Sequence, residues 1–127
     1  MDIADILVNK QEGKLRIIQE LVPGRQITLA HIIASPDEIV YKKLGLNPEI
    51  DYKKSAIGIL TVSPAETAVI AADVALKHAD VELGFVDRFS GTIIITGLVA
   101  DAETAIKAAV DYIGGTLGFT VCEVTRT

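Results

Sequence analysis

The stretch Ser55-Ala56-Ile57-Gly58-Ile59-Leu60-Thr61-Val62-Ser63-Pro64-Ala65-Glu66 decides the fold. Six of its first eight residues are aliphatic or β-branched, which suits a pleated strand over Ser55 to Val62. The next four change the period. Ser63 reads as an N-cap, Pro64 as the first helical residue and Glu66 as the acid three places after the cap, so a long helix runs to about Ala79. Ala68, Ala71, Ala72 and Ala75 give that helix small side chains, which let its backbone approach a sheet closely.

Working toward the C-terminus, Val81 to Val86 predicts a strand, Asp87-Arg88-Phe89-Ser90-Gly91 a turn, and Thr92 to Thr96 its hairpin partner. Asp101 is expected to cap a second long helix to about Ile113, stopped by Gly114-Gly115, and Phe119 to Val124 to make a last strand. Toward the N-terminus, Gln26 to Ala34 reads as a strand. Ser35-Pro36-Asp37-Glu38 opens a short helix through Lys43 with Ser35 as its cap, Gly45 closes it, and Leu46 to Lys54 is a connecting loop. Leu15 to Val22 predicts a short strand ended by Pro23-Gly24, and residues 1–14, with Asn9-Lys10-Gln11-Glu12-Gly13 as a loop, an arm.

The order of elements predicts an α+β fold, a ferredoxin-like open sandwich in which one mostly antiparallel sheet carries both long helices on one face. Strands such as Ile93-Ile94-Ile95 are apolar on both sides, so the other face needs cover or solvent, and a partner is expected to supply some of it. At 127 residues the chain fits one domain. Its parts are an N-terminal arm over residues 1–24 and a domain over residues 25–127.

The formal net charge of -5 opposes nucleic-acid binding, which needs a basic face to displace counterions from phosphates. Half the residues are hydrophobic and the mean hydropathy is +0.40. No apolar run approaches the roughly 20 residues needed to span a bilayer. The opening Met1-Asp2-Ile3-Ala4-Asp5 is acidic and lacks a secretory pattern, so a cytoplasmic location is expected. An apolar excess with few aromatics and no Trp points either to buried subunit contact or to a well-filled core.

Catalytic groups are sparse. His31 lies within an apolar strand and His78 near a helix C-terminus, where a packed role and a dipole-facing role outweigh acid–base chemistry. Cys122, the single cysteine, reads as a small buried hydrophobe more readily than as a nucleophile. Gly114, Gly115 and Gly118 follow a helix, whereas a phosphate-cradling fingerprint follows a strand and opens one. Asp101 and Glu103 complement a helix N-terminus. Two histidines 47 positions apart and one cysteine make no metal cluster. The expectation is no enzyme activity, no cofactor and no metal.

Leu83-Gly84-Phe85-Val86-Asp87-Arg88-Phe89-Ser90-Gly91 resembles the BMC-domain shell proteins of bacterial microcompartments. The likeness is to their circularly permuted members of the EutS/PduU type, from ethanolamine, propanediol and choline utilisation compartments. Arg16-Ile17-Ile18-Gln19-Glu20, Val22-Pro23-Gly24, Gln26-Ile27-Thr28-Leu29-Ala30-His31, Ala56-Ile57-Gly58-Ile59-Leu60 and Cys122 through Thr125-Arg126 extend the resemblance in order and spacing. It covers about Arg16 to Thr127.

The resemblance implies a structural protein: a homohexameric tile that packs with other shell proteins around encapsulated enzymes. Arg88, Phe89, Ser90 and Gly91 fall at the family's pore-lining turn, although Phe89 packed under a tight turn is the plain alternative. Lys77 resembles the lysine at the hexamer edge, against a solvated helix-end lysine. The family's edge arginine is not reproduced, because His31-Ile32-Ile33-Ala34-Ser35-Pro36 carries Ser35 there. Leu15, Ile17, Ile18, Gln19 and Leu21 match the strand that forms an axial barrel with five symmetry mates and caps the pore. Two rivals stand beside this reading: a small-molecule-binding regulatory domain of ferredoxin-like fold, and an enzyme using His31 or Cys122.

Overall fold

The computed structural model describes residues 24–46 and 55–127. The expected arm, its strand at Leu15 to Val22, and most of the loop before Ser55 lie outside the described residues. The elements are β1 (Gln26–Ile33), α1 (Glu38–Leu44), β2 (Ala56–Ser63), α2 (Thr67–His78), β3 (Glu82–Asp87), β4 (Thr92–Gly97), α3 (Val99–Gly115) and β5 (Thr125–Arg126). They form one sheet in the order β3-β4-β2-β1-β5. Every named pairing is antiparallel except β1 with β5, so the mostly antiparallel sandwich is as the sequence implied.

The alternation of β2 assigns its residues to two cores. Ala56, Leu60 and Val62 face α2 and α3, where they join Ile93, Ile95, Ile106 and Ile113. The predicted alanines Ala68, Ala71, Ala72 and Ala75 are all in this layer, and Ala102, Ala105 and Ala109 answer them from α3. Small side chains on both helices let them lie close to each other and to the sheet. Gly58 serves the same end: a Cβ there would stand 2.9 Å from the Ile106 and Ile95 side chains.

The opposite face is not left to a partner alone. Ile57 and Ile94 bury against Tyr41 of α1 and Leu46, with Ile33, Ile59 and Phe85 packed around them. The chain's own short helix therefore covers part of the second face.

Helix starts differ from the expected caps. Ser35 does not cap α1; Asp37 does, its carboxylate accepting the Ile39 N–H at 3.1 Å. The Ala34 N–H still donates to the Thr127 carbonyl, so the chain continues the sheet past β1 and turns too late for Ser35. Gly45 closes α1 at φ +67, as expected.

Ser63 is likewise held in β2, opposite Gln26, and precedes Pro64 through a cis bond. The first amides of α2 are instead satisfied by tight backbone bonds, with Thr67, Ala68 and Val69 donating to Pro64, Ala65 and Glu66 at 3.0, 3.0 and 3.1 Å.

Asp101 is not the cap of α3 but lies in its first turn, where its charge still complements the dipole. Gly114-Gly115 do not stop that helix; they complete it. A Cβ on Gly114 would stand 2.9 Å from the Val121 side chain, so the glycine admits the returning chain. Nor do Phe119 to Val124 form a strand. Only Thr120 bridges to Gln26, because Val121 is drawn over Gly114 and Cys122 and Val124 pack against the helix-side core. Regular pairing resumes at Thr125.

Candidate assembly surfaces

The hairpin between β3 and β4 is organised by Asp87. Its Oδ1 accepts the Phe89 N–H at 2.8 Å and the Ser90 N–H at 3.3 Å, while Oδ2 accepts the Ser90 hydroxyl at 2.9 Å. These donors hold the Asp87 carboxyl below the usual carboxylate range, the Phe89 N–H contributing most, then the Ser90 hydroxyl and the Ser90 N–H. Gly91 ends the turn at φ +78. A Cβ there would lie 2.1 Å from the Val62 carbonyl oxygen, which accepts no such approach, and the Val62 N–H donates to the Gly91 carbonyl at 2.8 Å.

That framework displays Phe89, which is 82% exposed. The alternative that it packs under the turn is thereby overturned: the ring stands outward, with the Arg88 guanidinium 5.1 Å from its centroid. The structure thus brings Arg88, Phe89, Ser90 and Gly91 together in one rigidly tied tip.

Lys77 lies in the last turn of α2, exposed, its ammonium 2.9 Å from Asp73 one turn back. The hydrogen bond to Asp73 and its charge raise the Lys77 pKa above the ordinary lysine value. A Cβ on Gly91 would stand 3.1 Å from the Ala65 Cα, just before α2 begins, so the hairpin tip and Lys77 stand at opposite ends of that helix. At 1.5 Å per residue they are on the order of 16 Å apart.

The residues considered for chemistry are spent on structure. His31 places Nδ1 2.6 Å from the Thr125 hydroxyl and Nε2 2.9 Å from the Thr127 hydroxyl, tying β1 to the parallel β5. His78 donates Nδ1–H to the Val74 carbonyl at 2.8 Å, as suits a helix end. Cys122 is partly buried and packs on the helix-side core. Among the described residues no group of three His, Cys, Asp or Glu could hold a metal ion, and no helix is long and apolar enough to cross a membrane.

One feature escaped sequence reasoning. A groove of about 460 Å³ runs between α3 and residues 121–124, lined by Val110, Val121 and Val124 together with Lys107, Asp111, Cys122 and Glu123. Its walls come from segments that read as separate strand and helix, so nothing local announces it. The role of Asp87 was legible in principle, since Asp followed by Ser three places on is a turn-closing pattern.

Residues 56–125, just over half of the chain, match the BMC domain family model. The chain is 49% identical over 120 residues to the bacterial microcompartment shell protein PduU of Salmonella typhimurium, covering 94% of this chain and all of that protein. It is 52% identical over 114 residues to the shell protein EutS of Escherichia coli K12, covering 90% of this chain and 98% of that one. Among solved structures, a CutR flat hexamer superposes with a TM-score of 0.76 at 42% identity, over 85% of this chain and 95% of that chain.

Proposed function

The chain belongs to the BMC-domain family of bacterial microcompartment shell proteins, and from that premise we propose that six copies close into a ring with the β3–β4 hairpins around its axis. The observation that carries this reading is Phe89: a side chain 82% exposed on a turn that three bonds from Asp87 hold in place. A rigid support for an apolar ring in water makes sense where copies of that ring meet.

In this arrangement α2 runs along a radius. Arg88, Phe89, Ser90 and Gly91 line the axial opening, which six Phe89 rings narrow, and Lys77 stands at the outer edge to meet a neighbouring tile. The protein's work is structural rather than catalytic. Its place is the microcompartment shell, its partners are copies of itself and other shell proteins, and enclosed enzymes dock on the finished wall.

The permuted order has support from β1, which precedes the matched span yet lies between β2 and β5 in the sheet. On the same reading residues 25–127 are the permuted domain and residues 1–24 an arm. Leu15, Ile17, Ile18, Gln19 and Leu21 of that arm join their symmetry mates in a small barrel capping the pore. Negative-stain images of the purified protein test the whole reading: rings with a central feature support it, and dispersed single particles without rings oppose it.

A further inference from the structure

Leu98 occupies a place where its own chain gains little from it. It is the N-cap of α3, a position at which Ser, Thr, Asp or Asn accepts an orphan N–H of the first turn and leucine can accept none. No side-chain bond caps the helix there. The side chain is also 65% exposed, and among the large apolar residues described only Phe89 is more so. An exposed leucine alone is ordinary. One that also displaces a helix cap weakens its own fold twice, through the lost cap and through the apolar surface left in water.

Its position gives the reason. Gly97 ends β4, and a Cβ there would stand 3.3 Å from the Asp80 carbonyl oxygen and 3.2 Å from the Val81 side chain. Leu98 therefore emerges beside the connection that leaves α2 just after Lys77 and His78. Seven residues of extended chain carry it on the order of 23 Å from Gly91 at the hairpin tip. Leu98 and Lys77 share the end of the fold away from that tip.

We propose that Leu98 is the apolar anchor of the contact between tiles, seated against the same edge of a second copy in the neighbouring ring. The proposal rests on the ring reading with Lys77 at the rim. In a flat layer of sixfold rings, all facing one way and joined by one kind of contact, each contact lies on a two-fold axis, so an edge meets its own twin. Such a contact must be self-complementary. Leucine against leucine meets that requirement, and the exposed Lys77 and Asp80 supply one charge of each sign to be exchanged across the axis.

Leu98→Ser tests this because it moves two readouts in opposite directions. Wild type, Leu98→Ser and Leu98→Met are compared by native mass, by urea midpoint in dilute solution, and by the lowest protein concentration at which electron microscopy shows sheets. In Leu98→Ser the six-copy mass is retained and the urea midpoint rises, because serine caps α3, while the sheet threshold rises about tenfold or more. Leu98→Met keeps the threshold near that of wild type. A threshold unchanged in Leu98→Ser, or a urea midpoint that falls in it, overturns the assignment; sheets lost all the same in Lys77→Glu then leave the edge reading standing. Wild-type rings that form no sheets at any concentration remove the edge reading, and this contact with it.

Discussion

The carboxylate of Asp87 accepts the backbone N–H of Phe89 at 2.8 Å, so the residue that begins the turn sets the direction of the residue that projects from it. The same carboxylate holds both the N–H and the hydroxyl of Ser90. The tip is ordered by one side chain, and its order depends on that side chain's charge.

A group whose folded pKa is depressed contributes stability that is full above the unfolded carboxylate value, near pH 4, and is lost as pH falls through the folded value. Asp87 is such a group. Amide-exchange protection of Phe89 and Ser90 is therefore expected to hold at neutral pH and to fall in acid. In Asp87→Ala the protection is low at every pH. Protection in the wild type that does not change down to pH 2 would refute the role given to Asp87.

Gly91→Ala tests the backbone of the same tip. The new Cβ meets the Val62 carbonyl at 2.1 Å from a φ of +78, so a loss of about 3 kcal/mol or more is expected. Urea unfolding midpoints measure it, and a loss below about 1 kcal/mol would contradict the geometry.

Phe89→Ala removes a side chain that touches little of its own chain. Stability within about 0.5 kcal/mol of wild type is expected. The ring is retained and its axial opening widens in averaged electron micrographs. An unchanged opening would argue against the axial placement of Phe89.

Lys77→Glu replaces an i,i+4 ion pair with two like charges, a cost of only a few tenths of a kcal/mol on an exposed helix. Rings are expected to form normally and lateral sheets to fail. Sheets persisting in this variant, seen by electron microscopy, would remove Lys77 from the tile edge.

The fold was largely legible because its strands and long helices follow periodicity, and β2 with its twofold alternation names members of both cores. Element ends were less so. Ser35 and Ser63 look like caps, but the Ala34 N–H just before Ser35 is bonded to Thr127 and Ser63 pairs with Gln26, partners far away in the chain. Residues 119–124 look like a strand, yet Gly114 makes a seat for Val121 that pulls the chain onto α3. The turn over Asp87 to Gly91 was legible from the strand pattern and the resemblance implied its pore-lining role, while the exposure of Phe89 was left open between two readings that only the fold could separate. His31 joining Thr125 and Thr127 had no local signal, since its partners lie 94 and 96 residues on.

The native mass of the purified protein in solution, measured by light scattering across a range of concentrations, tests the central claim most directly. A mass of six chains is predicted. A stable monomer or dimer at every concentration would contradict it.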